Sequence, residues 1–222
     1  MSFANRKIAG VQLARPLMRL KDHDPVVLAL PRGGVPVAFE IARALEAPLD
    51  LVLVRKIGAP MQPELAVAAV VDGDRMELVT NEDLVRELAL SEGWIRDQAA
   101  RQLEEIERRR RLYLAGRERA AIEGKTAIVV DDGIATGATM RAALRAVRNR
   151  RPKHLVLAVP VAPAETLEPL RAEVDEIVCL ATPFPFGAIG YFYDDFRQVE
   201  DQEVRELLAQ AAHPRPPKRE ET

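Results

Sequence analysis

The 222-residue chain has one cysteine, three histidines and one tryptophan, and aromatic residues make up only 5% of it. A lone thiol, Cys179, excludes an internal disulfide, and its apolar setting in Ile177-Val178-Cys179-Leu180 reads as a buried, inert side chain. His23, His154 and His213 are scattered, which leaves no metal cluster and no catalytic triad to assemble from them. Nowhere do 18 apolar residues run together, and no charged-then-apolar leader opens the chain. The expectation is a cytoplasmic protein that neither spans a membrane nor is exported. An excess of charge of one sign is missing too. Against 34 Asp and Glu stand 32 Lys and Arg, a net charge of −2 that offers no global attraction for nucleic acid or for an acidic membrane. Two common phosphate cradles, G-x-x-x-x-G-K-[ST] and G-x-G-x-x-G, are absent.

What is present is a hydrophobic fraction of 48%, enough to bury the core of one α/β domain of ordinary size. Short β-branched apolar runs alternate with amphipathic segments, which predicts a mainly parallel central sheet flanked by helices on both faces. One stretch organises the rest. Thr126-Ala127-Ile128-Val129-Val130 reads as a buried strand, and Met140 to Arg148 as an amphipathic helix. The turn between them runs Asp131, Asp132, Gly133, Ile134, Ala135, Thr136, Gly137, Ala138, Thr139. Gly133 and Gly137 let backbone N–H groups converge on one point, and Thr136 and Thr139 add hydroxyls. The helix start near Thr139 brings unpaired amides and the positive end of the helix dipole, so the turn suits a phosphate. Asp131 and Asp132 would repel that phosphate at close range. They suit a neighbouring diol or a hydrated divalent cation.

Val129 to Thr139, with its apolar residues, two acids, short spacer, Thr-Gly pair and closing Thr, resembles the phosphoribosyl pyrophosphate (PRPP) signature of type I phosphoribosyltransferases. The resemblance covers nearly the whole chain and implies that family's fold, with a small hood. It implies displacement of pyrophosphate from C1 of PRPP by a nitrogenous base, with Mg²⁺ as cofactor. Asp131 and Asp132 would hold the ribose hydroxyls and the metal, and Gly133 to Thr139 would wrap the 5′-phosphate. In the family's 6-oxopurine enzymes an Asp precedes the Thr-Gly pair, whereas Ala135 stands here, so the base is left open.

Other strand ends carry basic and small residues. Val26 to Leu30 ends in Pro31-Arg32-Gly33-Gly34, a second place where amides and a guanidinium can meet an anion. By the resemblance, Arg32, Gly33 and Gly34 bind pyrophosphate. Pro48 to Val54 reads as one strand closing on Arg55 and Lys56, which the resemblance sets on the pyrophosphate, as catalytic residues at the opening of a mobile loop. Ala66 to Val71 and Arg75 to Val79 read as a hairpin about Asp72-Gly73-Asp74. A long helical insertion follows at about 81–124, with starts at Asn81 and Ser91. Its basic run, Arg108 to Arg111, reads as a solvated helix face paired with Glu104, Glu105 and Glu107 in preference to a phosphate or nucleic-acid contact, which stays open.

The segment at about 181–198 concentrates the aromatics and is similar to the hood of hypoxanthine-type phosphoribosyltransferases. That similarity points to Phe186 and Ile189 as base contacts and to Asp194 as a metal-side acid. One domain is expected over residues 1–212, with a disordered tail at 213–222. A homodimer is the expected assembly, with the insertion available for dimerisation or for closing the site. Two rival functions stay open. A non-catalytic PRPP-sensing regulator would keep the Asp131–Thr139 turn. An aspartyl phosphohydrolase would use Asp131 as nucleophile, although that chemistry generally wants Asp-x-Asp on one side of a strand, and adjacent Asp131 and Asp132 point opposite ways.

Overall fold

The computed structural model describes residues 2–72 and 77–212. The chain enters through helix α1 (Arg6–Leu17), whose first turn is capped by Asn5 accepting from the Ile8 amide at 3.0 Å. Strand β1 (Pro25–Ala29), helix α2 (Gly34–Leu45) and strand β2 (Leu49–Leu51) follow. Next come strands β3 (Val54–Ala59), β4 (Gln62–Val71) and β5 (Glu77–Thr80), then helices α3 (Glu82–Glu87) and α4 (Glu92–Leu114). The core resumes with β6 (Thr126–Val130), α5 (Ala138–Asn149), β7 (His154–Val161), α6 (Ala164–Leu170) and β8 (Glu176–Ala181), before α7 (Asp201–Ala212).

Five strands form one parallel sheet in the order β2-β1-β6-β7-β8. Successive side chains of each strand enter opposite core layers. Val27, Ala29, Ile128, Val130, Val156 and Ala158 pack with α1 and α2, while Val26, Leu28, Ala127, Val129, Leu155 and Leu157 pack with α5. Burial on both faces is why these strands read as unbroken apolar runs. The expectation of a mainly parallel sheet flanked by helices holds.

The strand order reverses at β1. From there the chain steps outward to β2, and β6 returns on β1's other side. In sheets of this kind the carboxyl ends of the strands at such a switch point frame a crevice. Here the two facing ends carry Pro31-Arg32-Gly33-Gly34 and Asp131 to Thr139.

A second sheet, β3-β4-β5, is antiparallel. It corrects the single strand expected from Pro48 to Val54. The run splits after Leu51, and Val52 and Leu53, both buried, cross from one sheet to the other: the Val52 amide still reaches Ala29 O at 2.9 Å, while Leu53 O accepts from Asp72 at 2.8 Å. Because the crossing is as buried as the strands it joins, hydropathy carries no mark of it. The β4–β5 hairpin forms, but its Gly73-Asp74 turn lies outside the described residues, as does the tail at 213–222. Helices α3 and α4 begin where Asn81 and Ser91 predict, with those side chains accepting from Leu84 N and Trp94 N. Among the described residues, no helix is long and apolar enough to cross a membrane. Cys179 is half-buried in β8, its thiol held up by burial and aimed at Ala181 O.

Candidate functional site

The turn after β6 is assembled from short-range constraints. Gly137 adopts φ +77°, a left-handed conformation that favours glycine, and serves as N-cap of α5. Thr166 Oγ1 donates to Ala135 O at 2.8 Å and fixes the turn against α6. Ile134 gives its amide to Val161 O at 3.0 Å. Among the described residues, the amides of Gly133, Ala135, Thr136 and Gly137 make no such bond within the protein, and those of Ala138 and Thr139 lie in the first turn of α5, where helices leave amides unpaired. The anion site predicted for this turn therefore keeps free donors, at the exposed Ala135, Thr136 and Ala138 and the half-buried Gly137 and Thr139.

Asp131 and Asp132 sit at the crevice mouth and have different neighbours. Asp132 is 8% exposed, and its Oδ2 accepts from Arg6 Nε at 2.7 Å. The Arg6 guanidinium is sandwiched against the Phe196 ring, 3.8 Å from its centroid, and also donates to Arg197 O. Tyr193 OH donates to Asp132 O at 2.5 Å, with burial pushing the phenol well up so that it stays a donor. Asp131 Oδ1 accepts from the Asp132 amide at 2.8 Å. Burial and, after it, the neighbouring Asp132 charge push the Asp131 carboxyl well above the usual carboxylate range. Burial raises Asp132 too, opposed by Arg6. Two adjacent acids thus share one internal cation.

Gly33 and Gly34 close the other side. A Cβ on Gly33 would overlap Asp132 Oδ2, and one on Gly34 would lie 2.8 Å from Val130 O and 2.9 Å from Asp131 Cα. The two turns predicted to bind phosphates are therefore in direct contact. Gly33→Ala is expected to destabilise the protein by about 1–3 kcal/mol, the usual cost of forcing an extra carbon into a packed site. A thermal scan reads that loss, and an unchanged Tm would contradict the close packing.

The other predicted residues fall partly into place. Arg32, next to Gly33, reaches Asp201 at the start of α7 at 3.5 Å, and Asp201 also accepts from Tyr113 OH. Arg55 lies in strand β3, not in a loop, and its Nε donates to Gln102 of α4 at 3.1 Å. Lys56 is next in the same strand, where extended backbone sends consecutive side chains to opposite faces. Ile189 packs directly over Gly133, whose Cβ would come 2.6 Å from it. Phe186 is half-buried against Phe192, centroids 5.1 Å apart, whereas Phe184 and Tyr191 expose 91% and 79% of their surface. Asp194, expected as a metal-side acid, stands at the surface. Exposed, it accepts from Ser2 Oγ at 2.6 Å, because Tyr193 takes the inward position and the next residue in an extended backbone points away. Among the described residues, no three His, Cys, Asp or Glu side chains group to hold a metal.

Arg6 is the site residue that sequence reasoning missed. It lies more than a hundred positions from Asp132, inside a helix whose pattern says only amphipathic, so no local signal marks it.

Comparison with known proteins agrees with this fold. A family model for the phosphoribosyl transferase domain matches residues 5–195. The Thermus thermophilus protein TT1426, known from a crystal structure, is 44% identical with a TM-score of 0.82, over 95% of this chain and 99% of that one. A Mycobacterium tuberculosis protein provisionally named phosphoribosyl transferase MT0597 is 46% identical over 209 residues, which are 94% of this chain but 47% of the relative. The chain thus spans about half the length of the curated relatives it matches. With the crevice at the switch point and a family match across most of its length, the chain belongs to the phosphoribosyl transferase domain family.

Proposed function

We propose that this protein transfers the 5-phosphoribosyl group of PRPP to a nitrogenous base and releases pyrophosphate. The observation that carries the reading is the contact between the two turns at the switch point: Gly33 packs on Asp132, so a ligand lying in the Asp131–Thr139 turn has its C1 side facing Arg32-Gly33-Gly34. The 5′-phosphate takes the free amides of Ala135 to Thr139 and the hydroxyls of Thr136 and Thr139. Asp131 accepts from the ribose hydroxyls. Ile189 and the exposed Phe184 and Tyr191 supply the apolar surface for a planar base.

The donor set fits Mg²⁺. Asp131 is a half-buried carboxylate pushed toward its neutral form, so a cation beside it relieves an existing electrostatic cost, and Mg²⁺ is usually held by one or two carboxylates with the rest of its shell from water and phosphate. Asp131 would hold it with Asp132, without Asp194; when bound, the ion neutralises charge developing on pyrophosphate. The bond from C1 to the pyrophosphate oxygen breaks with its electron pair on that oxygen. The base nitrogen supplies the pair for the new C1–N bond and gives its proton to solvent. Arg32 and Arg55 sit on the side where negative charge grows and stabilise the transition state more than the ground state.

Pyrophosphate release measured with Mg²⁺, PRPP and a panel of bases tests the reading. Release that depends on one base supports it. Tight PRPP binding with no release for any base would instead favour a PRPP-sensing regulator, and release of inorganic phosphate a phosphohydrolase.

A further inference from the structure

Helix α4 meets the same end of the sheet with a single face. Gln102, Ile106, Arg109 and Tyr113 recur at spacings of three and four, and so line up on one side of the helix. Gln102 holds Arg55, Ile106 is buried, and Tyr113 donates to Asp201, the residue that pairs with Arg32. The helix thus touches, directly or through one residue, both guanidiniums assigned to pyrophosphate. Arg109 lies between those contacts. With Arg55 and Thr139 as its other polar members and an otherwise apolar wall of Leu30, Pro31, Ile106 and residues 52–54, it lines a cavity of about 20 Å³ where the turn after β1 meets the start of α5. That volume suits one water-sized group, such as a single oxygen of an oxyanion.

The local charge count favours an anion there. Arg109 Nε bonds Glu105 Oε1 at 2.8 Å, but the same carboxylate already holds Arg108 through two contacts of 2.7 and 3.0 Å. With Asp201, which acts on Arg108 and pairs with Arg32, two carboxylates face three guanidiniums. Across the cavity, the partner of Arg55 Nε is the neutral Gln102 amide. Arg108 is 55% exposed and well screened by water, whereas Arg109 is 24% exposed, so it is the half-desolvated cation of the two that gains most from a counter-ion. A basic run that reads from its spacing as a solvated face is divided by the fold into an outward residue and an inward one.

We propose that Arg109 is a pyrophosphate-binding residue, which takes an oxygen of the leaving pyrophosphate jointly with Arg55, so that α4 carries part of the site's positive charge. The inference rests on the phosphoribosyl transfer reading above. A structural role for Arg109 would affect folding; a ligand role affects one end of the substrate and not the other.

The test uses the full chain and calorimetric affinities for pyrophosphate with Mg²⁺, for PRPP, and for ribose 5-phosphate, which lacks the pyrophosphate. Arg109→Ala is expected to weaken pyrophosphate and PRPP by about 10- to 100-fold, the range for one charge-assisted hydrogen-bonding group. It should leave ribose 5-phosphate within about twofold, since tenfold would need a whole interaction of its own. Arg109→Lys should recover part of the loss, and covers the case in which the alanine variant does not fold. Arg108→Ala, which removes the outward guanidinium, should leave all three affinities unchanged. Equal affinities in wild type and Arg109→Ala, or equal losses for all three ligands, would overturn the role of Arg109 and leave the transfer reading standing. A wild-type chain that binds neither PRPP nor pyrophosphate would overturn both.

Discussion

Asp131→Asn is expected to abolish measurable PRPP binding and, in the unliganded protein near neutral pH, to raise the melting temperature. Both effects follow from one arrangement. Arg6 spends its Nε on Asp132, and the hydrogen bond to Asp131 Oδ1 comes from the Asp132 amide, so Asp131 has a neutral donor and a negative neighbour. Burial, then that neighbour, push its carboxyl well above the usual 3.8. An acid with a raised native pKa keeps its proton longer in the folded chain than in the unfolded one. The native state then binds more protons across the window from about 3.8 up to the raised value, and stability falls as pH rises through it. Asparagine carries no charge and escapes this loss. Its advantage should be small at the acid end of the window and full above it, each kcal/mol regained appearing as roughly 2–4 °C in a domain of this size. Binding suffers for the complementary reason, since a neutral amide cannot offset a cation and accepts more weakly from the ribose hydroxyls. Thermal scans at several pH values and calorimetry with PRPP and Mg²⁺ check both arms. A lower Tm above the window, or an unchanged affinity, would contradict the assignment of Asp131 as the ligand-facing acid.

The same comparison of neighbours marks how far the sequence could be read. Strand-turn-helix at Thr126 to Arg148 was legible because every signal there is local: β-branched residues for the strand, Gly137 for the left-handed N-cap, and a hydrophobic stripe for α5. The caps Asn81 and Ser91 were legible for the same reason. What could not be read was direction. Residues 52 and 53 cross between sheets inside a continuous apolar run, and that crossing turns Arg55 and Lys56 from loop cations into strand residues facing opposite ways. Asp194 and Tyr193 are neighbours in sequence, and only the pairing of Phe3 with Tyr193, with Asp194 N bonded to Phe3 O, fixes which of them turns inward. Arg108 and Arg109 differ by one helical step of about 100°, enough to put one in solvent and the other against the β1 turn. Arg6 was invisible altogether, since its partners Asp132, Phe196 and Arg197 are all distant in sequence.

Arg6→Ala is expected to cost about 3–5 kcal/mol of stability, the usual penalty for breaking a buried ion pair from one side. In a domain of this size that corresponds to a drop of roughly 6–20 °C in Tm, at 2–4 °C per kcal/mol. The side chains of Arg6 and Asp132 are each 11% exposed, so the abandoned carboxylate cannot recover its hydration, and it remains next to Asp131 with no internal cation to offset either acid. Three segments also lose their common tie, because Arg6 joins helix α1 to the β6 turn through Asp132 and to the hood through Phe196 and Arg197 O. The pair itself need not be a net stabiliser. Burial raises the Asp132 carboxyl even with Arg6 present, which means that desolvation outweighs attraction. The double variant Arg6→Ala with Asp132→Asn should therefore be clearly more stable than Arg6→Ala, since it removes the orphaned charge while the packing on Phe196 is lost in both. If the double variant is no more stable than Arg6→Ala, the loss comes from packing on Phe196 and not from an orphaned charge, and Arg6 would be a spacer instead of the cation that lets two acids stand side by side at the crevice.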